Sequence, residues 1–135
     1  MNTKVVLTLA DARVIAAAAR ACAEQNQWNV VIAVVDDGGH LILLERMDDT
    51  QLGSVQVAHE KARTACLFRR PTKKIEDTIL GGRVHMLNLP AATPIEGGLP
   101  LLHDGKVVGA IGVSGVQSFQ DGLVAEAGVA AMVIL

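Results

Sequence analysis

The side chains that could do chemistry in this chain include four histidines: His40, His59, His85 and His103. No two of them have the spacing of a zinc site, and no Cys-x-x-Cys occurs, so we expect no metal held by protein ligands alone. His40 follows a predicted turn and His103 precedes one, where exposed polar residues are common. His85 falls in an irregular segment. A Gly-x-Ser-x-Gly nucleophile motif is absent, and Ser114 lacks the leading glycine that such a motif requires.

The candidate binding residues fall into two groups. The first lies on the polar face of a predicted helix and comprises His59, Lys61, Arg63 and Thr64. A solvated helix face is the alternative interpretation of that group. The second occupies the last predicted hairpin and the turn after it: Gly97, Gly98, Gly112, Ser114 and Gly115. Glycine inside a strand indicates close approach by a helix, a ligand or a partner chain, and the sequence leaves these three open.

Acidic and thiol side chains add fewer candidates. The pairs Asp36-Asp37 and Asp48-Asp49 could serve acid–base chemistry, but their sequence context favours turn formation. If the protein is an enzyme, His59 or Asp36 is the candidate general base. Cys22 and Cys66 fall in predicted helices and are expected to be small core residues. Because no export signal is apparent, we predict reduced thiols and a cytoplasmic location.

The elements that must position these residues can be predicted from capping, turn and periodicity signals. The first half of the chain has a helix from the capping box Thr8–Asp11 to about Gln27, strands 29–36 and 40–46 around the turn 37–39, and a helix 51–68. The second half has a helix 72–80 capped by Thr72, strands 99–103 and 106–114 around Asp104-Gly105, and a helix from the capping box Ser118–Asp121 nearly to Leu135. Two antiparallel hairpins can form one sheet, with the terminal helices packed together on one face. We therefore predict a single α+β domain spanning residues 1–135.

Composition excludes several classes of protein and favours association. The 135 residues are 50% hydrophobic, 2% aromatic and 19% charged, with a formal net charge of −2. The chain has no basic excess to neutralise phosphates and few aromatic side chains to stack on bases, so nucleic acid is not an expected partner. The apolar runs are too short to cross a bilayer, so we predict no membrane span. The apolar surplus predicts a homo-oligomer.

Three stretches, taken together in this order, are distinctive. They are Val34-Val35-Asp36-Asp37-Gly38-Gly39-His40-Leu41 with Leu44-Glu45-Arg46-Met47-Asp48; Lys61-Ala62-Arg63-Thr64-Ala65 with Arg70-Pro71-Thr72; and Gly97-Gly98-Leu99-Pro100 with Val108-Gly109-Ala110-Ile111-Gly112-Val113-Ser114-Gly115 and Gln120-Asp121. Over nearly its whole length the chain resembles the GlcG/HbpS-like family. That family is also described as the haem-degrading domain, and it includes the C-terminal domain of PduO-type proteins.

The resemblance implies a profilin-like α/β sandwich with an antiparallel sheet, and homo-oligomers from dimer to octamer. It also implies binding of haem or a related tetrapyrrole in some members. The adenosyltransferase activity of PduO-type proteins belongs to a separate N-terminal domain and is not carried over to this chain.

For a haem-binding member, the resemblance leads us to consider His59 or His40 as the axial ligand. Arg63 or Arg46 could pair with the propionates. In a pocket lined by the second helix and the last hairpin, Lys61, Arg63 and Glu45 would orient an anionic ligand. Two alternatives stay open: an enzyme acting on a small organic acid or a diol-derived metabolite, and an accessory protein that docks on a larger metabolic enzyme.

Overall fold

A computed structural model describes residues 1–135, and all of the predicted helices and strands are present in it. They are α1 (Leu9–Gln25), β1 (Val31–Asp36), β2 (Leu41–Arg46), α2 (Ser54–Leu67), α3 (Thr72–Leu80), β3 (Gly98–His103), β4 (Lys106–Ser114) and α4 (Ser118–Ala130), with short 3₁₀ helices at Val84–Asn88 and Ala131–Ile134. The α+β class is therefore confirmed. None of the helices has both the length and the apolar composition that crossing a membrane would require.

The two hairpins form one fully antiparallel sheet of order β2-β1-β4-β3. They meet through their inner strands, with Val31 of β1 opposite Ser114 of β4. Both inner strands lie between two neighbours, and Val31 to Val35 of β1 are fully buried on both faces of the sheet. β2 and β3 are the two edges of the sheet.

Helices cover both faces of this sheet. Ile32 and Val34 of β1 share one core with residues of α1 and α4, and these two helices contact each other, so the terminal helices share one face as predicted. Val31, Ala33 and Val35 point the opposite way and pack under α2. The result is a three-layer sandwich in which side chains of alternate β1 residues enter different cores.

Two glycines allow α2 to lie directly on the sheet. Gly98 of β3 and Gly112 of β4 are register partners, so they form a flat patch under the helix. A Cβ at Gly112 would overlap the carbonyl oxygen of Ala58, and one at Gly98 would overlap that of Lys61. Of the three interpretations left open for these strand glycines, close approach by a helix is therefore the one that the structure supports.

The structure corrects the predicted starts of three helices, α2, α3 and α4. The Thr8–Asp11 capping box is confirmed, because the Asp11 N–H donates to the Thr8 hydroxyl at 3.1 Å. At α4 the prediction was wrong, because Gln117 is the N-cap and its N–H donates to the Gln120 side chain.

The predicted cap of α3 was also wrong. Pro71 is its N-cap, and the Thr72 hydroxyl instead accepts a hydrogen bond from the Gly98 N–H at 2.9 Å, which ties α3 to β3. α2 begins at Ser54 rather than at residue 51, because residues 51–53 form a turn.

Candidate functional site

The predicted site residues of α2 lie on two different sides of the helix. Ser54, Lys61 and Thr64 face β3, β4 and the segment that follows α3; we refer to this side as the Lys61 flank. His59 precedes Arg63 by four residues, so the two side chains share the opposite side, next to β1 and β2. We refer to this side, which carries His59, Arg63 and Cys66, as the His59 flank.

The Lys61 flank contains a buried ion pair. Lys61 is only 2% exposed, and its Nζ donates to Asp121 Oδ2 at 3.1 Å and to the Val113 carbonyl at 3.0 Å. The other oxygen of Asp121 accepts from the Val116 N–H at 3.1 Å. Burial raises the pKa of the Asp121 carboxyl, against the opposing effects of the Lys61 charge and the Val116 N–H. Lys61 therefore joins α2 to α4 and is not on a solvated polar face.

The remaining polar groups of this flank also have partners. The Thr64 hydroxyl donates to the Glu60 carbonyl at 2.7 Å and accepts from the Thr93 N–H at 2.8 Å. Ser54 and Ser114 share a hydrogen bond between their hydroxyls at 3.0 Å. Lys61, Thr64, Gly97, Gly98 and Ser114 are thus brought close to one another along this flank, as contacts that hold α2 on the sheet.

Gly97 and Gly98 also line a small surface cavity of about 240 Å³. Glu96 also lines this cavity, and burial raises the pKa of its carboxyl. The nearby carboxylates of Glu76 and Asp77 act in the same direction, whereas Lys73 opposes them. This cavity is therefore a poor environment for a further negative charge.

The His59 flank contains the unsatisfied polar atom of the chain. The Nε2 atom of His59 is hidden from solvent and has no hydrogen-bond partner, and no other buried side-chain nitrogen or oxygen is in that state. Leaving such an atom unpaired costs about 1–3 kcal/mol. Because buried polar groups in native proteins are nearly always paired, an exception of this kind indicates a missing partner.

Charged groups lie toward both ends of this flank. Arg63 donates to Glu60 at 3.3 Å, and its side chain lies beside Gly39 in the turn between β1 and β2. At the other end, Arg46 is opposite Val31 in the sheet and therefore projects toward the α2 face. Cys66 donates to the Asp36 carbonyl at 3.2 Å, and burial raises the pKa of its thiol, so it is not an activated nucleophile.

Three other candidates do not join the α2 residues. They are His40 and Asp36, at the turn between β1 and β2, and Glu45. The His40 side chain is 83% exposed, and its Nδ1 lies 3.5 Å from Asp36 Oδ1. Although partial burial opposes it, hydrogen bonds from the His40 and Gly38 N–H groups lower the pKa of Asp36. Asp36 therefore organises the turn and is a poor general base near neutral pH. Glu45 projects to the α1 face, where it pairs with Arg20, and it does not join Lys61 and Arg63.

Comparison with known proteins places this fold in a family. Residues 7–130 match the family model described as haem-degrading protein HbpS-like. The protein GlcG of Escherichia coli K12 is 47% identical over 114 residues, which cover 84% of this chain and 85% of GlcG. The chain belongs to the HbpS-like family. The resemblance predicted from the three sequence stretches is thereby confirmed.

Two solved structures extend the comparison to three dimensions. The crystal structure of HbpS has a TM-score of 0.89 and 30% identity, covering 96% of this chain and 92% of that one. A crystal structure described as the PduOC:Heme complex has a TM-score of 0.86 and 30% identity, covering 94% of this chain and 95% of that one. This HbpS-like chain therefore shares its fold with a protein whose crystal structure is of a haem complex.

Sequence reasoning missed Asp121 as a partner of Lys61. Asp121 was assigned to a helix cap, which concealed its place in the core. A signal was available: Lys61 lies three residues after Ala58 and four before Ala65, within the buried stripe of α2. A lysine at such a position requires an acidic partner.

Proposed function

We propose that this HbpS-like protein binds haem or a related tetrapyrrole on the His59 flank, with the His59 imidazole as the axial ligand of the iron. The observation that carries the proposal is the buried, unpartnered Nε2 of His59. A neutral imidazole nitrogen without a proton is a common ligand of haem iron. The structural similarity to the PduOC:Heme complex supports the same ligand class.

The residues around His59 suit this group in charge and polarity. Arg63 and Arg46 lie toward opposite ends of the flank, and guanidinium groups pair well with propionate carboxylates. Glu60 holds the Arg63 guanidinium beside the helix. Leu44 and Val55 belong to the apolar cluster under α2 and add apolar surface. When bound, haem supplies an iron centre that can change oxidation state or bind a further small ligand.

His59 is a better candidate for the iron ligand than His40. The His40 ring is mostly in solvent and already has the Asp36 carboxylate beside it. His59 is half-buried on a rigid helix, which fixes its position relative to the two arginines. Lys61, Thr64, Gly97, Gly98 and Ser114 then support the site by fixing α2 on the sheet.

We also propose that the protein is a cytoplasmic homo-oligomer. Large hydrophobic side chains are exposed in the single chain, among them Leu41, Leu52, Phe119 and Val133. Leu41 lies on the edge strand β2, beside the open His59 flank, so a second copy could cover both. The two cysteines are free and pack on opposite faces of the sheet, which supports the reduced thiols expected of a cytoplasmic protein. Light scattering should give a mass that is a multiple of the 14.2 kDa chain; a monomer would contradict association.

A haemin titration tests the ligand assignment. We expect the wild-type protein to give a saturable Soret band with a fixed haem-to-chain ratio. His59→Leu should abolish the band or shift it to that of free haemin, whereas the matched variant His40→Leu should leave it unchanged. A broad change that never saturates, or an unaltered band in His59→Leu, would refute the proposal.

A further inference from the structure

A second cavity, remote from His59, lies where α2 ends and α3 begins. It has a volume of about 530 Å³ and is lined by Arg69, Arg70, Lys74, Ile75, Asp77, Thr78 and Met86. That volume is within the range of small-molecule sites, about 300–1,000 Å³. Neither the orphaned imidazole nor the Lys61–Asp121 pair contributes to it, so its chemistry is independent of the proposed haem site.

The cavity concentrates uncompensated positive charge in a chain whose net charge is −2. Arg69, Arg70 and Lys74 form no salt bridge with any carboxylate. The one acid in the lining, Asp77, has both oxygens within hydrogen-bond distance of Lys73, at 3.0 and 3.2 Å. Lys73 itself is not in the lining, so the lining side chains carry three positive charges and one negative charge, a net charge of +2.

The backbone holds these cations in a defined turn. The Arg69 N–H donates to the Cys66 carbonyl and the Arg70 N–H to the Ala65 carbonyl, at 3.3 and 3.2 Å. The Arg70 Nε donates to the Phe68 carbonyl at 2.8 Å, which orients its guanidinium and leaves its terminal nitrogens without a protein partner. The backbone positions of Arg69 and Arg70 are therefore fixed by hydrogen bonds to the last turn of α2.

Arg69 occupies a backbone conformation that does not suit an arginine. Its φ is +53°, and it follows the C-cap of α2, a position that glycine ordinarily fills. A side chain there carries a conformational cost that glycine would avoid. Non-glycine residues held in such conformations cluster at ligand-binding sites. Gln27 has a similar φ of +59° after α1, so the conformation alone does not mark a binding site, but it makes Arg69→Gly a substitution that removes the charge without straining the backbone.

We infer that this cavity binds a small organic dianion, a dicarboxylate or a phosphate monoester. The guanidinium groups of Arg69 and Arg70 match the paired oxygens of either anion, and Lys74 supplies a further positive charge. Ile75 and Met86 form an apolar wall for the carbon skeleton of the ligand. The preference for two negative charges follows from the net charge of +2 on the lining, of which a single carboxylate would leave one positive charge unmatched.

Calorimetric titration with succinate at low ionic strength tests this inference. The wild-type protein should bind succinate saturably, and Arg69→Gly should weaken the affinity by about tenfold, the effect of losing one charge-assisted contact. Arg69→Gly should also keep or raise the melting temperature, because it removes the backbone cost. Arg13→Gln, which removes an exposed arginine of α1 on the other face of the sheet, is the matched control and should bind like the wild type.

The other arms of the titration separate the possible outcomes. Glycerol 3-phosphate that competes with succinate would support a shared dianion site, and butyrate should bind far more weakly because it has one charge. His59→Leu should leave succinate binding intact, so failure of the haem proposal leaves this one testable. Equal succinate affinity in Arg69→Gly and the wild type, no succinate binding at millimolar concentration, or butyrate binding as tight as succinate would overturn the inference.

Discussion

The two flanks of α2 carry similar polar residues but differ in whether those residues have partners within the chain. On the Lys61 flank a fully buried ammonium group has a carboxylate and a carbonyl as partners. On the His59 flank a half-buried imidazole has a hidden nitrogen with no partner at all. The first flank is tied to Asp121 of α4 and to residue 93 of the segment after α3, whereas the chain supplies no partner for the hidden nitrogen of the second. A candidate binding surface is therefore distinguished from a structural one by a buried polar atom that lacks a hydrogen-bond partner, and not by charge alone.

Replacing Lys61 should have the largest effect on stability. Lys61→Met removes the ammonium and leaves the Asp121 carboxylate buried without its main partner. We expect a loss of about 3–5 kcal/mol in the free energy of unfolding, measured by urea denaturation.

The double variant Lys61→Met with Asp121→Leu is the matched control for that loss. It should recover most of the stability, because replacing both members of a buried ion pair with apolar groups is often neutral. Wild-type stability in the single variant Lys61→Met would show that the pair is not the structural tie of this flank.

Adding one carbon under α2 should have the next largest effect. Gly112→Ala places a Cβ against the Ala58 carbonyl, so the helix must move away from the sheet. We expect a loss of at least about 1–3 kcal/mol, measured by thermal or chemical unfolding. Gly53→Ala is the control, since Gly53 has a negative φ and nothing within 4 Å of its would-be Cβ. Equal stability of the two variants would contradict the close seating of α2.

His59 should behave in the opposite way to Lys61. His59→Leu removes an atom that has no partner, so the free energy of unfolding without ligand should stay within about 1 kcal/mol of the wild type or rise. The measurement is the same urea denaturation. A loss as large as that expected for Lys61→Met would mean that His59 is part of the structural core.

The smallest effect is expected at Glu96 and depends on pH. Its pKa is raised in the folded protein by burial and by neighbouring carboxylates, so the ionised form destabilises folding once the pH exceeds that pKa. Glu96→Gln should therefore raise the melting temperature slightly at pH 7. The difference should vanish below the ordinary glutamate pKa, where the side chain is protonated in both states. A difference that persists at low pH would assign it to packing.

Local signals in the sequence were sufficient for the elements and for the family. The Thr8–Asp11 cap, the Asp104-Gly105 turn and the unbroken apolar run of β1 each depend on neighbouring residues only, and each was predicted correctly. The apolar surplus and the three family stretches can likewise be read from residue types and their order, without knowledge of long-range contacts.

Long-range partners could not be predicted in the same way. Lys61 and Asp121 are 60 residues apart, and their contact depends on how α2 and α4 cross the sheet. Glu45 was grouped with Lys61 by residue type, but the register of β2 turns it to the opposite face. The unpaired state of His59 Nε2 depends equally on everything packed around it, so only the fold could reveal it.

Haemin-dependent thermal stabilisation shows whether haem binds on the His59 flank, because a ligand stabilises only the state that binds it. The melting temperature of the wild type and of His59→Leu should be measured with and without one equivalent of haemin per chain. We expect the melting temperature to rise with haemin for the wild type and for His40→Leu, and not to rise for His59→Leu. An equal rise in wild type and His59→Leu would show that haem binds elsewhere and would contradict the assignment of the His59 flank.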